Sequence, residues 1–250
     1  MAEGGALVSI LVEAWSWLTT GANWVGANGV WSRGPSGSWR LGRDSILGLG
    51  IGHLGMAAAA VALAAAIALP LGLFLGHVRR GGTITVVVSN LTRAIPTLAL
   101  LTLFASGAVG FGDRAVIIAV GVFAVPPILT NAFTGMVGVD ATVRDAAIGQ
   151  GMSRWQVIRG VELPLAWPLI ASGLRTSAVQ SVATIPLAAL VAGGGLGVII
   201  NFGLSTQRYG QALAGAILVA ALSVSLDALL GRLQRRLTPA PLRVGARLAR

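Results

Sequence analysis

The run MAAAAVALAAAIALPLGLFL, Met56 to Leu75, decides the fold. A helix needs about 20 consecutive apolar residues to cross the hydrocarbon core of a bilayer, and this run supplies them without a charge. Outward from it, no Asp, Glu, Lys or Arg occurs between Asp44 and Arg79. Over all 250 residues, 55% are hydrophobic and only 10% charged, where an ordinary soluble domain carries roughly 25% charged residues. The composition excludes a soluble domain and predicts an all-α membrane protein.

Similar apolar stretches predict five spans: Leu49 to Gly76, Thr83 to Ala105, Ala115 to Met136, Leu165 to Val191 and Gln211 to Leu230. A sixth, short span competes at residues 6–20, which are apolar to amphipathic but interrupted by Glu13. At about 15 residues this segment is better suited to lie in the interface than to cross. Five of the seven tryptophans stand at positions 15, 17, 24, 31 and 39, and tryptophan favours the membrane–water boundary. Three regions follow: an interfacial, extracytoplasmic segment 1–45, a membrane domain 46–232 and an arginine-rich tail 233–250.

All 18 basic residues are arginine, and the net charge is +10. In so apolar a chain these arginines report topology rather than nucleic-acid binding. With five spans, one side of the membrane receives Arg79, Arg80, Arg144, Arg154, Arg159, Arg232, Arg235, Arg236, Arg243, Arg247 and Arg250. The other receives Arg33, Arg40, Arg43, Arg114 and Arg208. Cytoplasmic loops carry the excess of basic residues, so the loop between the third and fourth spans and the C-terminus are predicted to be cytoplasmic.

That loop, residues 138–164, contains VDATVRDAAIGQGMSRWQVIRGVELP from Val139 to Pro164. Asp140 suits the N-cap of a short helix, Gly151 the left-handed residue that ends it, and Ser153 with Gln156 a capping box that opens a second helix. Pro164 is expected to close that second helix. Two short helices around a glycine elbow form a compact knob, for which docking a cytoplasmic partner is the natural use. Trp155, Val157, Ile158 and Val161 are expected to supply its apolar contacts.

The spacing Asp145-Ala146-Ala147, three residues, Gly151, nine residues, Val161-x-Leu163-Pro164 resembles the "EAA" coupling loop of bacterial ABC importer permeases, written E-A-A-x3-G-x9-I-x-L-P. Asp145 replaces Glu and Val161 replaces Ile; both keep the chemical type. The resemblance implies a type I ABC importer permease fold with cytoplasmic coupling helices, in a bacterial inner membrane. It also implies ATPase subunits docked on Asp145, Ala146, Ala147, Gly151, Trp155, Val161, Leu163 and Pro164, a second permease subunit, and a separate extracytoplasmic substrate-binding protein. ATP and magnesium would be held by the partner ATPase, with no cofactor on this chain.

SNLTRAIPTLAL at Ser89–Leu100, VELPLA at 161–166, GLRTS at 173–177 and LAALVAGGGLG at 187–197 are similar to the osmoprotectant branch of these permeases, importers of glycine betaine, choline and carnitine. The resemblance extends over residues 50–232. Permeases for methionine share looser forms of these blocks, so an amino-acid cargo stays open beside a quaternary amine, and a channel or scaffold without an ATPase is the alternative from another class. For the translocation pathway and its gating the candidates are Asn90, Arg93, Pro96, Thr97, Arg175, Thr176 and Gln180, because a charged group at a helix centre costs about 2.5–3.5 kcal/mol unless it faces protein or water. Arg93 and Arg175 favour gating or helix pairing over contact with a cationic cargo. Pro96, Pro126, Pro127 and Pro186 are expected to kink or open spans, and Asp227 to meet the interface or Arg232.

His53 and His77 stand isolated in the sequence, no catalytic set or metal cluster can be assembled, and cysteine is absent. Gly193 to Gly197 lacks the Lys-Ser/Thr of a phosphate-binding loop. A transport subunit without a catalytic residue is expected.

Overall fold

The computed structural model describes residues 2–25, 31–33, 39–41 and 45–238. The end of the tail, with Arg243, Arg247 and Arg250, lies outside the described residues. Among the described residues, four helices are long and apolar enough to cross a membrane: α3 (Ile46–His77), α6 (Asp113–Val137), the helix Arg154–Val191 and α11 (Tyr209–Leu237). Taken together, α4 (Gly82–Ala94) and α5 (Thr97–Ser106) provide a fifth. At 1.5 Å per residue, the 32 residues of α3 extend about 48 Å, longer than the roughly 30 Å hydrocarbon core.

The second span is not one helix. Ile95 and Pro96 take extended backbone between α4 and α5, because the residue before a proline is driven out of the α region. Pro126 and Pro127 remain inside α6. Pro186 sits in the first turn of a tighter 3₁₀ segment, Ile185–Val191, that continues α9 (Leu163–Thr184).

The chain forms two compact units. One comprises Met1–Ala60, Pro96–Val120 and Ser181–Val224. Its N-terminus is α1 (Ala2–Thr19) followed by α2 (Gly21–Val25). Residues Gly5–Thr19 are apolar but short of a span. A short antiparallel ribbon follows, β1 (Trp31–Arg33) with β2 (Trp39–Leu41), with Ser32 opposite Arg40. Ile46 and Leu49 pack with Leu196 and Ile199 of α10 (Gly197–Ser205) and Val219 of α11, and Trp17 and Trp24 lie against them. Glu13 ties α1 to α11 by accepting from the Gly210 amide at 3.2 Å.

In the same unit His53 is fully buried. Its Nδ1 accepts from the Leu196 amide at 3.3 Å, and its Nε2 lies 2.8 Å from the Val182 carbonyl. Asp113 accepts from the Gly194 amide at 2.7 Å. Both side chains therefore hold the glycine-rich turn.

The other unit comprises Val61–Ile95, Gly121–Gln180 and Ser225–Arg250. Gly72 and Gly76, one helical turn apart, let α3 meet α6: a Cβ on Gly72 would stand 2.8 Å from Ala132 Cβ, and one on Gly76 2.5 Å from Met136 Cβ. Between membrane helices, where lipid is as apolar as the side chains, such close packing and interhelical hydrogen bonds drive association. Ser89 and Thr130 add such a bond at 2.9 Å between α4 and α6. Ala64, Ala68, Ala124, Ile128 and Leu129 form one apolar cluster of this unit, and Ala132, Met136, Ala166 and Ile170 another.

Candidate functional site

The segment after α6 folds much as its local chemistry requires. Asp140 Oδ1 accepts from the amide and the hydroxyl of Thr142, each at 2.8 Å, and caps α7 (Ala141–Gly149). Those bonds hold the Asp140 carboxyl below the usual carboxylate range. Gly151 takes φ +84°, and the Met152 amide returns to the Ala147 carbonyl at 3.2 Å, closing the helix. The Gln156 amide donates to Ser153 Oγ at 3.4 Å while the Ser153 amide donates to Gln156 Oε1 at 2.7 Å, a complete capping box at the start of α8 (Arg154–Val157).

Pro164 does not close this second helix. The chain passes through a π turn, Ile158–Glu162, directly into α9, with the Leu163 amide bonded to the Ile158 carbonyl five residues back. A proline inside an α-helix clashes with the carbonyl four residues earlier; the wider π turn immediately before Pro164 relieves that conflict, so the coupling segment and the fourth span are continuous.

Inner and outer faces of the knob are distinct. Ala147 and Val157 are buried and Ile158 and Leu163 pack towards Ala132, Met136 and Ile170, so Val157 belongs to the core rather than to a docking surface. Val161 is half-buried. Asp145, Ala146 and Pro164 are exposed, as are Val143, Ile148 and Trp155, the last at 61%. The Arg159 guanidinium lies 5.1 Å from the Trp155 ring centre, an arrangement that stiffens both side chains.

Beneath this surface lies a charge cluster that has no local sequence signature. Glu162 is 1% exposed; its Oε2 is 2.7 Å from His77 Nδ1 and its Oε1 is 3.4 Å from Arg144 Nε. Arg144 also donates to the His77 carbonyl at 3.2 Å, and Arg79 to the Val139 carbonyl at 2.6 Å. His77 is thus not isolated. Residues 67 and 85 positions away in sequence complete its surroundings, which no spacing rule detects.

Of the pathway candidates, Asn90, Pro96, Thr176 and Gln180 are exposed on this chain and Thr97 is half-buried. Arg93 lies on α4, and its side chain is outside those described. Thr176 and Gln180 are exposed along α9 in line with the exposed Leu165 and Leu169, with half-buried Ser172 between the apolar and polar parts of the stripe. Arg175 points elsewhere: its Nε and a terminal nitrogen donate to the two oxygens of Asp227, both at 2.6 Å, joining α9 to α11. Asp227 was expected at the interface or against Arg232; the bidentate fork of Arg175 holds it instead, because two parallel charge-assisted bonds outweigh one flexible surface contact. Among the described residues no group of three or more His, Cys, Asp or Glu could hold a metal ion.

A family model for the binding-protein-dependent transport system inner membrane component matches residues 68–239. The glycine betaine/carnitine/choline transport system permease protein OpuCB of Bacillus subtilis is 35% identical over 171 residues, covering 68% of this chain and 78% of that protein. Carnitine transport permease protein OpuCD of Listeria monocytogenes is 35% identical over 188 residues, covering 75% of this chain and 84% of its own length. The osmoprotectant import permease protein OsmW of Salmonella typhimurium is 34% identical over 195 residues, covering 76% and 91% respectively. Among solved structures, an inward-facing form of the MetNI methionine ABC transporter superposes with TM-score 0.64 at 22% identity, covering 76% of this chain and 94% of that one. That likeness concerns the fold alone.

Proposed function

The chain belongs to the family of binding-protein-dependent transport system inner membrane components, and from that premise we propose that it forms the membrane pathway of an ATP-driven importer for quaternary amine osmoprotectants such as glycine betaine, choline or carnitine. The observation that carries the coupling to ATP is the knob of α7 and α8, which presents Val143, Ile148 and Trp155 to solvent around an Asp145 carboxylate that has no partner within the described residues. Apolar side chains left exposed beside an unpaired charge suit a protein partner. ATPase subunits dock there from the cytoplasm, the side to which the arginine excess assigns the loop. They bind the ATP and magnesium.

Two permease subunits, identical or related, enclose the pathway, with Asn90, Arg93, Pro96, Thr97, Thr176 and Gln180 along it; the paired Arg175 braces α9 against α11 beside them. A separate binding protein delivers cargo from outside, where residues 1–45 lie. The cargo class rests on relatives at 34–35% identity whose names carry glycine betaine, choline, carnitine or osmoprotectant. To test it, the chain is co-expressed with its ATPase and binding protein in cells lacking osmoprotectant uptake. Labelled glycine betaine should enter, competed by choline or carnitine and not by methionine, and the ATPase should co-purify. Competition by methionine alone would move the cargo to amino acids, and uptake without an ATPase would remove the coupling.

A further inference from the structure

A carboxylate with 1% exposure persists only where partners replace water, since an unpaired buried charge is expensive. Glu162 receives those partners from two segments besides its own. His77 ends α3, and Arg144 lies in the middle of α7. The backbone repeats the connection, through Arg144 on the His77 carbonyl and Arg79 on the Val139 carbonyl. The end of α3 and the turn that follows it are thus tied by polar contacts to both ends of the coupling segment.

Covalent continuity through the π turn already joins α8 to α9, so a push on the knob reaches that span through the helix itself. Nothing covalent joins the knob to α3, which leaves α6 and the whole second span between them in the chain. We propose that Glu162, gripped by His77 and Arg144, is the positioning residue that makes α3 move with the coupling helices. It acts through the spans rather than by touching cargo or nucleotide. The inference rests on the importer reading and adds the route by which motion of an ATPase enters the first span.

The test uses the complete transporter, with its ATPase and binding protein in liposomes, and measures cargo uptake and ATP hydrolysis together. His77→Leu removes the bond at the rim of the cluster, His77→Gln keeps a donor for Glu162, and Glu162→Leu removes the hub. The ATPase should co-purify with each, while uptake per ATP hydrolysed falls about fivefold or more in the two leucine variants, the lower end of coupling between linked sites. His77→Gln should stay near the unaltered ratio. If Glu162→Leu fails to insert, His77→Leu decides. An unaltered ratio in His77→Leu overturns the proposal, and so does a loss that His77→Gln shares. An unaltered chain that binds no ATPase overturns the importer reading instead, a different result.

Discussion

Two histidines on α3, His53 and His77, are held in opposite ways. Near the start of the helix, His53 gives both ring nitrogens to backbone groups: the Leu196 amide donates to Nδ1, so the proton sits on Nε2 and points at the Val182 carbonyl. Its neutral ring fastens a glycine-rich turn with bonds that have no cheap alternative. At the other end the His77 ring meets the Glu162 carboxyl and the His77 carbonyl accepts from Arg144, which itself lies against Glu162. Polar side chains from three segments can exchange partners when those segments shift. The contrast separates a region built to stay fixed from a region built to transmit.

The comparison breaks most visibly if the transmitting region is cut. Deleting Asp145 to Gly151 should abolish uptake and co-purification of the ATPase, with membrane insertion unchanged. Replacing Gly151 by a bulky residue works in the same direction, because φ +84° is a left-handed geometry that costs a residue with a Cβ roughly 1–2 kcal/mol. Immunoblots of membranes and of the purified complex distinguish the two effects. Next in size is Arg144→Ala, which strands part of the buried Glu162 charge and should cost about 3 kcal/mol, read as a lowered unfolding temperature in detergent.

Changing the fixed region should act on stability alone. His53→Leu leaves the Leu196 amide and the Val182 carbonyl without their partner, worth about 2 kcal/mol, and the melting temperature should drop. Uptake per ATP hydrolysed should nonetheless stay unaltered in the molecules that remain folded; a changed ratio would erase the distinction between the two histidines.

The smallest effect concerns pH. Asp140 has its folded-state pKa lowered by the Thr142 bonds, so its contribution to capping α7 is complete above the ordinary carboxylate pKa of about 3.9 and fades as pH falls through the lowered value. Amide exchange at Thr142 should accelerate only on such acidification, and Asp140→Asn, an uncharged cap, should flatten that dependence.

Spans and caps were legible because they depend on neighbours in sequence. Hydropathy located the first and third long helices to within three residues at each end, but the fourth starts at Arg154, eleven residues before the expected Leu165, and the last runs to Leu237, seven beyond Leu230. Asp140, Gly151 and the Ser153–Gln156 box met the expected local geometry. Long-range pairing was not legible. Arg175 with Asp227 and Glu162 with His77 join residues 52 and 85 positions apart, and in a chain with eight acidic residues each acid has many equally spaced basic candidates. The π turn before Pro164 was hidden for a related reason: proline signals a conflict, while tertiary packing chooses between ending the helix and widening it. Val157 shows the same limit at one residue, since the apolar side of so short a helix is chosen by the core it meets.

The whole account turns on this chain coupling an ATPase to a quaternary amine. The direct measurement is ATP hydrolysis by the chain reconstituted in nanodiscs with its ATPase and binding protein, before and after addition of glycine betaine, choline, carnitine or methionine. Stimulation by one or more of the quaternary amines and not by methionine is the predicted result. Stimulation by methionine alone, or hydrolysis indifferent to every one of the four, would contradict it.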